Sequence, residues 1–473
     1  MGIDIQAIMD RVPDSTRFLT IPELDKNTLD LAREYPDVVQ VTELGRSRDG
    51  RIIRCLKIGS GSRNALMFAC PHPNEPIGAM TLDFLARELA ENEELRREMD
   101  FTWYLIKVSD PDGIALNEGW FAGPFTIHHY LRHYYRPAFK EQVEWTFPVE
   151  YKRLKFDAPL PETQLLMKLM DQLRPDFIYP LHNLGFGGAY WYLSRPAPEL
   201  YGKYAACVKR MGIPMKLGEA EVPYAKEYAP AVFQMLTVKD DYDYTETYTK
   251  GDPVEGHPFG TSSGDYAQNH GGKNVFVFVC ELPYFFTAEI DDLSPSDTTR
   301  RECVIRNCRY KAQHHEDLVR MSQPVLKLLD MPDNHFKTAF DERMALGKGD
   351  LEAQIQWASS NPEFEQPATH AQKFDNLFVS RFFQATGTTL LLRACEQELG
   401  RKDERGFTDE QVAQLEQTLA RCEAYLKAEC DYLEENITYQ VPPIRKLVTV
   451  QAECGLLTAQ YVSQEIKKEE EET

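Results

Sequence analysis

Apolar positions in the N-terminal part of the chain alternate between helical and strand-like spacing. The run VFVFVC at 275–280 is continuously apolar, β-branched and aromatic, which is typical of a strand buried inside a mostly parallel sheet. Strands that alternate with helices indicate an α/β fold, so we predict a mixed, mostly parallel central sheet flanked by helices. The pattern predicts helices at 21–35 and 79–99 and strands at 51–58, 65–70, 101–108, 177–181 and 275–280.

The pattern changes after about residue 295, where strand-like stretches become rare. Long helical patterns cover 300–329, 381–399 and 410–436. We therefore predict an α/β domain over residues 1–295 and a helical domain or annex over residues 296–473. The helical region could cover the site as a lid or form the interface of a homo-oligomer.

Composition narrows the classes of protein. The chain has 473 residues, 42% of them hydrophobic and 27% charged, with a net charge of -21. These proportions are ordinary for a soluble protein, and the acidic balance argues against nucleic acid as a partner. No apolar run approaches the length of a membrane-spanning helix, and the first residues lack the pattern of a secretory signal. The scattered cysteines include no C-x-x-C pair, so we expect a cytoplasmic protein without disulfides.

Candidate metal ligands follow three of the predicted strands. His72 and Glu75 come after the strand at 65–70, His182 follows 177–181, and Glu281 follows 275–280. A lone H-x-x-E is weak evidence, because a loop histidine beside a solvated glutamate is the commoner case. The carboxyl ends of parallel strands meet at one edge of a sheet, where ligands bind. Imidazole and carboxylate are ligands that zinc favours. The combination predicts a catalytic site with one Zn²⁺ per chain.

Further motifs surround these residues in a characteristic order. They are the segment Leu44–Arg51 (LGRSRDGR), the pair His72 and Glu75 followed by Pro76-Ile77-Gly78, the turn Asp110–Gly113 (DPDG), Glu162-Thr163, His182, the segment Ser263–Ala267 (SGDYA) and the pair Glu281-Leu282. Over about residues 18 to 290 the chain resembles the zinc metallocarboxypeptidase family of carboxypeptidase A-like enzymes. The resemblance implies a divergent member of bacterial type with a helical C-terminal extension, whose catalytic domain covers residues 1–295.

The resemblance also implies roles for single residues. His72, Glu75 and His182 would hold the zinc ion, and Glu281 would act as general base and then general acid. An arginine that stabilises the developing oxyanion follows the DPDG turn in this family. Arg136 is the best match, with Arg132 in reserve.

One departure concerns the substrate. The family clamps the terminal carboxylate of its substrate with an Asn and an Arg, and residues 143–148 (VEWTFP) lack both. An arginine elsewhere could replace the clamp, or the substrate could lack a free carboxylate. Glu144 is expected to be a solvated loop residue, although contact with an amine or hydroxyl of the substrate is open. We predict substrate contacts from Arg132, Asn183, Asp265 and Tyr266, and Arg153 and Arg195 are further candidates for a replacement clamp.

Three functions are compatible with these residues. The first is a zinc hydrolase that cleaves an amide bond in a peptide or amino-acid conjugate. The second is a zinc deacylase of N-acyl amino acids, similar to the aspartoacylase and desuccinylase group, which also has an H-x-N-E-like motif. The third is an inactive scaffold or binding protein that acts through its helical region. The three predicted ligands and Glu281 favour an enzyme.

Overall fold

The structure, a computed structural model, describes residues 3–248, 251–272, 274–346 and 351–472. Its centre is a mixed sheet flanked by helices. The strands are β1 (Val39–Arg46), β2 (Ile52–Ile58), β3 (Arg63–Ala69), β4 (Phe101–Ile106), β5 (Val149–Tyr151), β6 (Leu154–Phe156), β7 (Phe177–Leu181), β8 (Leu184–Phe186), β9 (Tyr190–Leu193), β10 (Glu227–Ala229), β11 (Val232–Gln234), β12 (Phe276–Glu281), β13 (Pro283–Phe285), β14 (Pro295–Thr299) and β15 (Pro367–Thr369).

The main sheet has the strand order β1-β2-β4-β3-β7-β12-β9-β11-β10. Strands β4, β3, β7 and β12 run parallel to one another at its centre. The pairings on the flanks are antiparallel except for that of β9 with β11. Nearly every residue of β3, β7 and β12 is buried, as expected for strands covered on both faces. The predicted α/β fold with a mixed sheet is confirmed.

Helices cover both faces of the sheet and make up most of the C-terminal region. They are α1 (Ile5–Met9), α2 (Ile21–Glu34), α3 (Ile77–Glu91), α4 (Glu93–Met99), α5 (Pro111–Asn117), α6 (Ile127–His133), α7 (Pro161–Leu173), α8 (Pro198–Met211), α9 (Val238–Tyr248), α10 (Ser263–His270), α11 (Arg300–Ser322), α12 (Leu326–Leu329), α13 (His335–Leu346), α14 (Leu351–Ser360), α15 (His370–Phe374), α16 (Ser380–Gly400), α17 (Lys402–Arg405), α18 (Asp409–Asn436) and α19 (Ile444–Glu472).

Two predicted helices are each broken once. The predicted helix at 79–99 is interrupted at Asn92, whose side chain accepts a hydrogen bond from the Leu95 amide and so caps α4. The predicted helix at 300–329 ends with α11 at Ser322, just before Pro324, and resumes as α12. Proline cannot continue a helical hydrogen-bond ladder. The helices predicted at 381–399 and 410–436 correspond to α16 and α18.

The first turn of α3 packs directly against the centre of the sheet. A Cβ atom at Gly78 would lie 2.7 Å from Cβ of Leu181 on β7 and 2.9 Å from Cβ of Ala69 on β3. Only glycine allows this close approach. The loop between β3 and α3, which contains His72 and Glu75, is thereby held against the carboxyl end of β7.

The hydrophobic core continues across the predicted boundary at residue 295. Helix α19 packs against α3 and α8 and contacts β7 and β12, while α16 packs against α18 and α6. Buried side chains of α19 such as Cys454 and Leu456 belong to the same core as those of β3 and β7. The division into residues 1–295 and 296–473 stays a prediction. None of the described helices is long and apolar enough to span a membrane.

Candidate active site and metal centre

Three side chains converge at the carboxyl ends of the central parallel strands. His72 and Glu75 lie in the loop between β3 and α3, and His182 directly follows β7. Strands β3 and β7 are neighbours in register, with Ala69 opposite Leu181. Ligand atoms of His72, Glu75 and His182 lie within 4.8 Å of one another, and all three residues are buried.

Hydrogen bonds fix the carboxylate of Glu75. Its Oε2 atom lies 3.0 Å from Nδ1 of His182 and accepts a hydrogen bond from the Asn183 amide at 3.2 Å. Its Oε1 atom accepts a hydrogen bond from Arg136 at 3.1 Å. Nδ1 of His72 is buried and has no hydrogen-bond partner among the described residues. Because buried polar atoms normally have partners, this orphaned nitrogen beside a histidine and a carboxylate fits a metal ligand.

The electrostatics of the three residues also fit a cation. Burial, with the nearby positive charge of Arg136, lowers the pKa of His72 well below its usual value, so its imidazole is neutral as metal ligation requires. Burial raises the pKa of Glu75 to about 8. An ion bound between these groups would offset the cost of a buried negative charge. The donor set of two imidazoles and a carboxylate is one that catalytic zinc sites use.

Glu281 and Arg136 line the same cavity as the three candidate ligands. The cavity has a volume of about 760 Å³, within the range of sites for small ligands. Glu281 is the last residue of β12, the neighbour of β7 in the sheet. Burial and the adjacent Glu75 carboxylate raise the pKa of Glu281 to about 8, and its Oε2 atom has no hydrogen-bond partner among the described residues. A carboxylate of this kind can accept a proton near neutral pH.

Helices of the C-terminal region hold parts of the site in place. Gln451 on α19 donates a hydrogen bond to the carbonyl oxygen of His182 at 2.7 Å. On α16, Thr389 donates to the Leu131 carbonyl at 2.7 Å, and Arg393 donates to the His133 carbonyl at 2.7 Å. These bonds anchor the segment that leads into Arg136. The helical region is therefore a structural part of the candidate site.

Glu144 is not the solvated loop residue that the sequence suggested. It is buried, and its Oε1 atom accepts hydrogen bonds from the amide and hydroxyl of Ser263 at 3.1 and 2.8 Å. Its Oε2 atom lies 4.0 Å from Nε2 of His182 and has no hydrogen-bond partner among the described residues. The segment 143–148 folds against the start of α10, which turns Glu144 inwards. A carboxylate thus occupies the segment in which the family has its cationic clamp.

The structure places only part of the predicted substrate-binding set in the cavity. Asn183 lines it, beside His182. Asp265 instead accepts a hydrogen bond from Thr261, and Tyr266 donates to Asp171, so both are committed to packing around α10. Neither side chain is among those that line the cavity, and the expectation that they contact substrate is not supported.

The predicted replacement cations also lie elsewhere. Arg132 forms ion pairs with Glu396 and Glu423 on the helical region. Arg153 pairs with Asp252, and Arg195 with Glu465. None of the three arginines lines the cavity. Because each is neutralised by a nearby carboxylate, their predicted role in substrate binding is not supported.

Residues that sequence reasoning missed come mainly from the helical region. Lys311 on α11 and Glu342 and Arg343 on α13 line the cavity, together with Phe382 and Thr386 on α16. They are far from the motifs in the sequence and lie in helices with no recognisable signature, so no local pattern points to them. Among the lining residues outside the motifs, Gly185 does lie in a recognisable sequence pattern, the glycine-rich run GFGG after His182. A Cβ atom there would lie 2.5 Å from the ring of Phe382, so glycine allows α16 to close over the site.

Sequence comparisons show a similarity to zinc carboxypeptidases over part of the N-terminal region. Residues 26–123 match the family model described as zinc carboxypeptidase. A zinc carboxypeptidase of Simulium vittatum is 30% identical over 102 residues, which is 20% of this chain and 34% of that protein. Carboxypeptidase B of Astacus astacus is 25% identical over 107 residues, which is 22% of this chain and 35% of that protein. The chain thus covers about a third of the length of these relatives.

Solved structures similar to this one include two carboxypeptidases. Carboxypeptidase A from Helicoverpa armigera has 16% sequence identity and a TM-score of 0.38, covering 59% of this chain and 69% of that chain. A metallo-carboxypeptidase from Burkholderia cenocepacia has 14% identity and a TM-score of 0.34, covering 56% of this chain and 60% of that chain. These TM-scores are low, so the similarity to the family rests on the sequence matches.

The sheet edge with its two histidines and two glutamates has the form of a metallohydrolase site. Over residues 26–123 the chain is similar to the zinc carboxypeptidase family. The matched segment 26–123 includes His72 and Glu75 but ends before Arg136, His182 and Glu281. Roles for these last three residues are supported by their geometry alone.

Proposed function

We propose that the protein is a zinc-dependent hydrolase that cleaves an amide bond, most simply as a metallocarboxypeptidase with unusual substrate recognition. The observation that carries the proposal is the His72, Glu75 and His182 cluster, with Glu281 and Arg136 in the same cavity. Its substrate would be a peptide or an amino-acid conjugate. A cytoplasmic location, the absence of a nucleic-acid partner and a homo-oligomer formed through the helical region stay predictions.

The three clustered side chains would hold one zinc ion, which supplies Lewis acidity and lowers the pKa of water towards about 7. Glu281 would take a proton from the attacking water and return it to the leaving amine, since its carboxylate faces the cavity and its pKa of about 8 suits both steps. Arg136 would donate hydrogen bonds to the oxygen on which negative charge develops. Its bond to Glu75 orients its guanidinium towards the cluster.

Surrounding residues would keep this arrangement fixed. The Asn183 amide and Arg136 together orient the Glu75 carboxylate, and Gln451 holds the backbone of His182. Helices α13 and α16 cover the cavity and would limit the access of water. A dry and rigid site strengthens the electrostatic effect of Arg136.

The variant Glu281→Gln separates proton transfer by Glu281 from metal binding by the three clustered residues. It should retain about one zinc ion per chain, because Glu281 is not one of the clustered ligands, and should lose hydrolysis by about 10²-fold or more. The exposed Glu289→Gln, near the same strand, serves as the matched control. Hydrolysis at the wild-type rate in Glu281→Gln would overturn the mechanism.

A substrate panel tests the reaction itself. It contains peptides with a free terminal carboxylate, the same peptides amidated, and N-acyl amino acids. Cleavage of peptides supports the carboxypeptidase assignment, whereas turnover confined to N-acyl amino acids would indicate the deacylase. Failure of the metal-loaded wild-type protein to hydrolyse any of them would favour the inactive scaffold and refute the proposed function.

A further inference from the structure

Two cations of the helical region face the cavity of the candidate active site. Lys311 on α11 and Arg343 on α13 both line it. Arg136 is the nearest positive charge of the catalytic cluster, close enough to affect the pKa of Arg343. The cavity therefore contains both the candidate metal ligands and positive charge from the helical region.

Neither Lys311 nor Arg343 is neutralised within the described part of the chain. The guanidinium of Arg343 donates a hydrogen bond to the Phe383 carbonyl, and no ion pair joins it to a described carboxylate. A guanidinium has five N–H donors, so most of them are available to a ligand. Lys311 likewise has no ion pair to a described carboxylate. Arg132, Arg153 and Arg195, in contrast, are all paired.

Arg343 is held in place by its surroundings. A Cβ atom at Gly387 on α16 would lie 3.1 Å from Nε and 3.3 Å from Cδ of Arg343. The side chain therefore runs along a groove that exists because residue 387 has no side chain. A cation fixed in this way loses little further freedom when it binds a ligand.

The free-energy cost of partly burying these unpaired cations indicates the charge of the group that they bind. Burial lowers the pKa of Arg343, and the positive charge of Arg136 lowers it further. Burial also lowers the pKa of Lys311. Both residues are half-buried. Removing part of a charge from water without a partner is unfavourable, and a bound anion would offset that cost.

The segment 143–148 itself disfavours an anion. Glu144 lies there beside His182, and its free oxygen would repel a carboxylate. Glu221 also lines the cavity and accepts a hydrogen bond from Tyr192 at 2.6 Å. Of the other cations that line the cavity, Arg136 pairs with Glu75 and Lys216 pairs with Asp375. Arg343 and Lys311 are therefore the lining cations left to stabilise an acidic group of the substrate, among the residues that the structure describes.

We propose that Arg343, assisted by Lys311, binds a carboxylate of the substrate and replaces the clamp that residues 143–148 lack. The forked guanidinium matches the two oxygens of a carboxylate. The substrate class is thus an amide that carries a carboxylate near the bond to be cleaved. This inference rests on the proposed function for the identity of the cavity.

The test measures binding separately from turnover. Calorimetry uses the full-length, zinc-loaded Glu281→Gln protein, so that peptide is not consumed. The probes are N-acetylated trialanine with a free C-terminus, the same peptide amidated, and an amidated version with a glutamate side chain at its centre. The first and third probes distinguish a terminal carboxylate from a side-chain carboxylate.

We expect at least one carboxylate probe to bind about tenfold to hundredfold tighter than the neutral amide, the range of a hydrogen bond to a charged group. Adding Arg343→Gln should remove most of that difference, and Arg343→Lys should restore part of it. The matched control is Arg306→Gln, because Arg306 is exposed on α11 and pairs with Glu302 away from the cavity. Circular dichroism and zinc content establish that each variant is folded.

The outcomes separate this inference from the proposed function. Equal affinity for acid and amide probes, an unchanged preference in Arg343→Gln, or no binding of any probe would overturn the inference. Hydrolysis is measured in parallel with wild-type protein that retains Glu281. If the preference for carboxylate probes depends on Arg343 but no probe is hydrolysed, the carboxylate-binding site at Arg343 is supported and the proposed hydrolase function is refuted.

Discussion

Replacement of Gln451 by leucine should destabilise the protein and loosen its metal site together. Gln451 is fully buried on α19, more than two hundred and fifty positions from His182 in the sequence. Its Nε2 donates to the His182 carbonyl at 2.7 Å, and its Oε1 accepts from the Thr81 hydroxyl at 3.0 Å. Leucine has a similar volume, so Gln451→Leu removes both bonds without leaving a large cavity.

The expected magnitude follows from the groups left behind. The carbonyl of His182 and the hydroxyl of Thr81 are buried and would each lose a partner. An unsatisfied buried polar group costs about 1–3 kcal/mol. The free energy of unfolding should therefore fall by about 2–6 kcal/mol, a large share of a typical total of about 5–15 kcal/mol. Zinc affinity should fall by about 10–100-fold, because the hydrogen bond that holds the backbone of the candidate ligand His182 is lost.

Urea unfolding of the metal-free protein measures the first effect, and competition with a chelator measures the second. Gln164→Leu is the control, since Gln164 is exposed on α7 and its side chain donates a hydrogen bond to the Pro159 carbonyl. It should change the free energy of unfolding by less than about 0.5 kcal/mol. If Gln451→Leu matches the wild type in both measurements, α19 does not support the metal site and the reasoning is wrong.

Three further predictions concern the metal, a buried acid and a close contact. Chelation should abolish amide hydrolysis by the wild-type protein, and added zinc should restore that hydrolysis. Added zinc should not produce hydrolysis by the His182→Ala variant. Wild-type activity that survives chelation would contradict the metal site. Burial raises the pKa of Asp110 to about 7, so its carboxyl stabilises the fold below its unfolded pKa of about 4, and this contribution is lost as pH rises through 7. Asp110→Asn can still cap α5, and its free energy of unfolding relative to the wild type should therefore rise from about pH 5 to about pH 8. Urea titrations at these pH values measure the difference, and parallel pH profiles of the two proteins would refute the raised pKa. Gly78→Ala should lower the free energy of unfolding by about 1–3 kcal/mol through overpacking. The control Gly202→Ala lies on α8, where a Cβ meets nothing within 4 Å, and should raise the free energy of unfolding by about 0.4–1 kcal/mol. Equal effects of the two substitutions would show that the contact at Gly78 relaxes freely.

Local sequence accounts well for the catalytic cluster. His72, Glu75, His182 and Glu281 each follow a strongly apolar strand, so the ends of β3, β7 and β12 could be located from hydrophobicity alone. Parallel strands present their carboxyl ends at one edge. The convergence of the four side chains therefore follows from short-range patterns and a simple topological rule.

Substrate-facing residues could not be located in the same way. Asp265 and Tyr266 lie in a segment that resembles a pocket wall, yet their side chains bind Thr261 and Asp171. Glu144 looked like a solvated loop residue and is buried against Ser263. The direction of a side chain in a loop depends on what packs against that loop, and the sequence near it does not record this.

The sequence by itself determined the fold class and indicated the candidate metal ligands and Glu281, because periodic burial and residue type act over a few neighbouring positions. Tertiary structure alone decided how the helical region takes part. Helix α19 supports the backbone of His182, α16 anchors the segment before Arg136, and α13 brings Arg343 into the cavity. These contacts join positions hundreds of residues apart, and they arise from the packing of amphipathic helices, whose polar positions look alike until their neighbours are known.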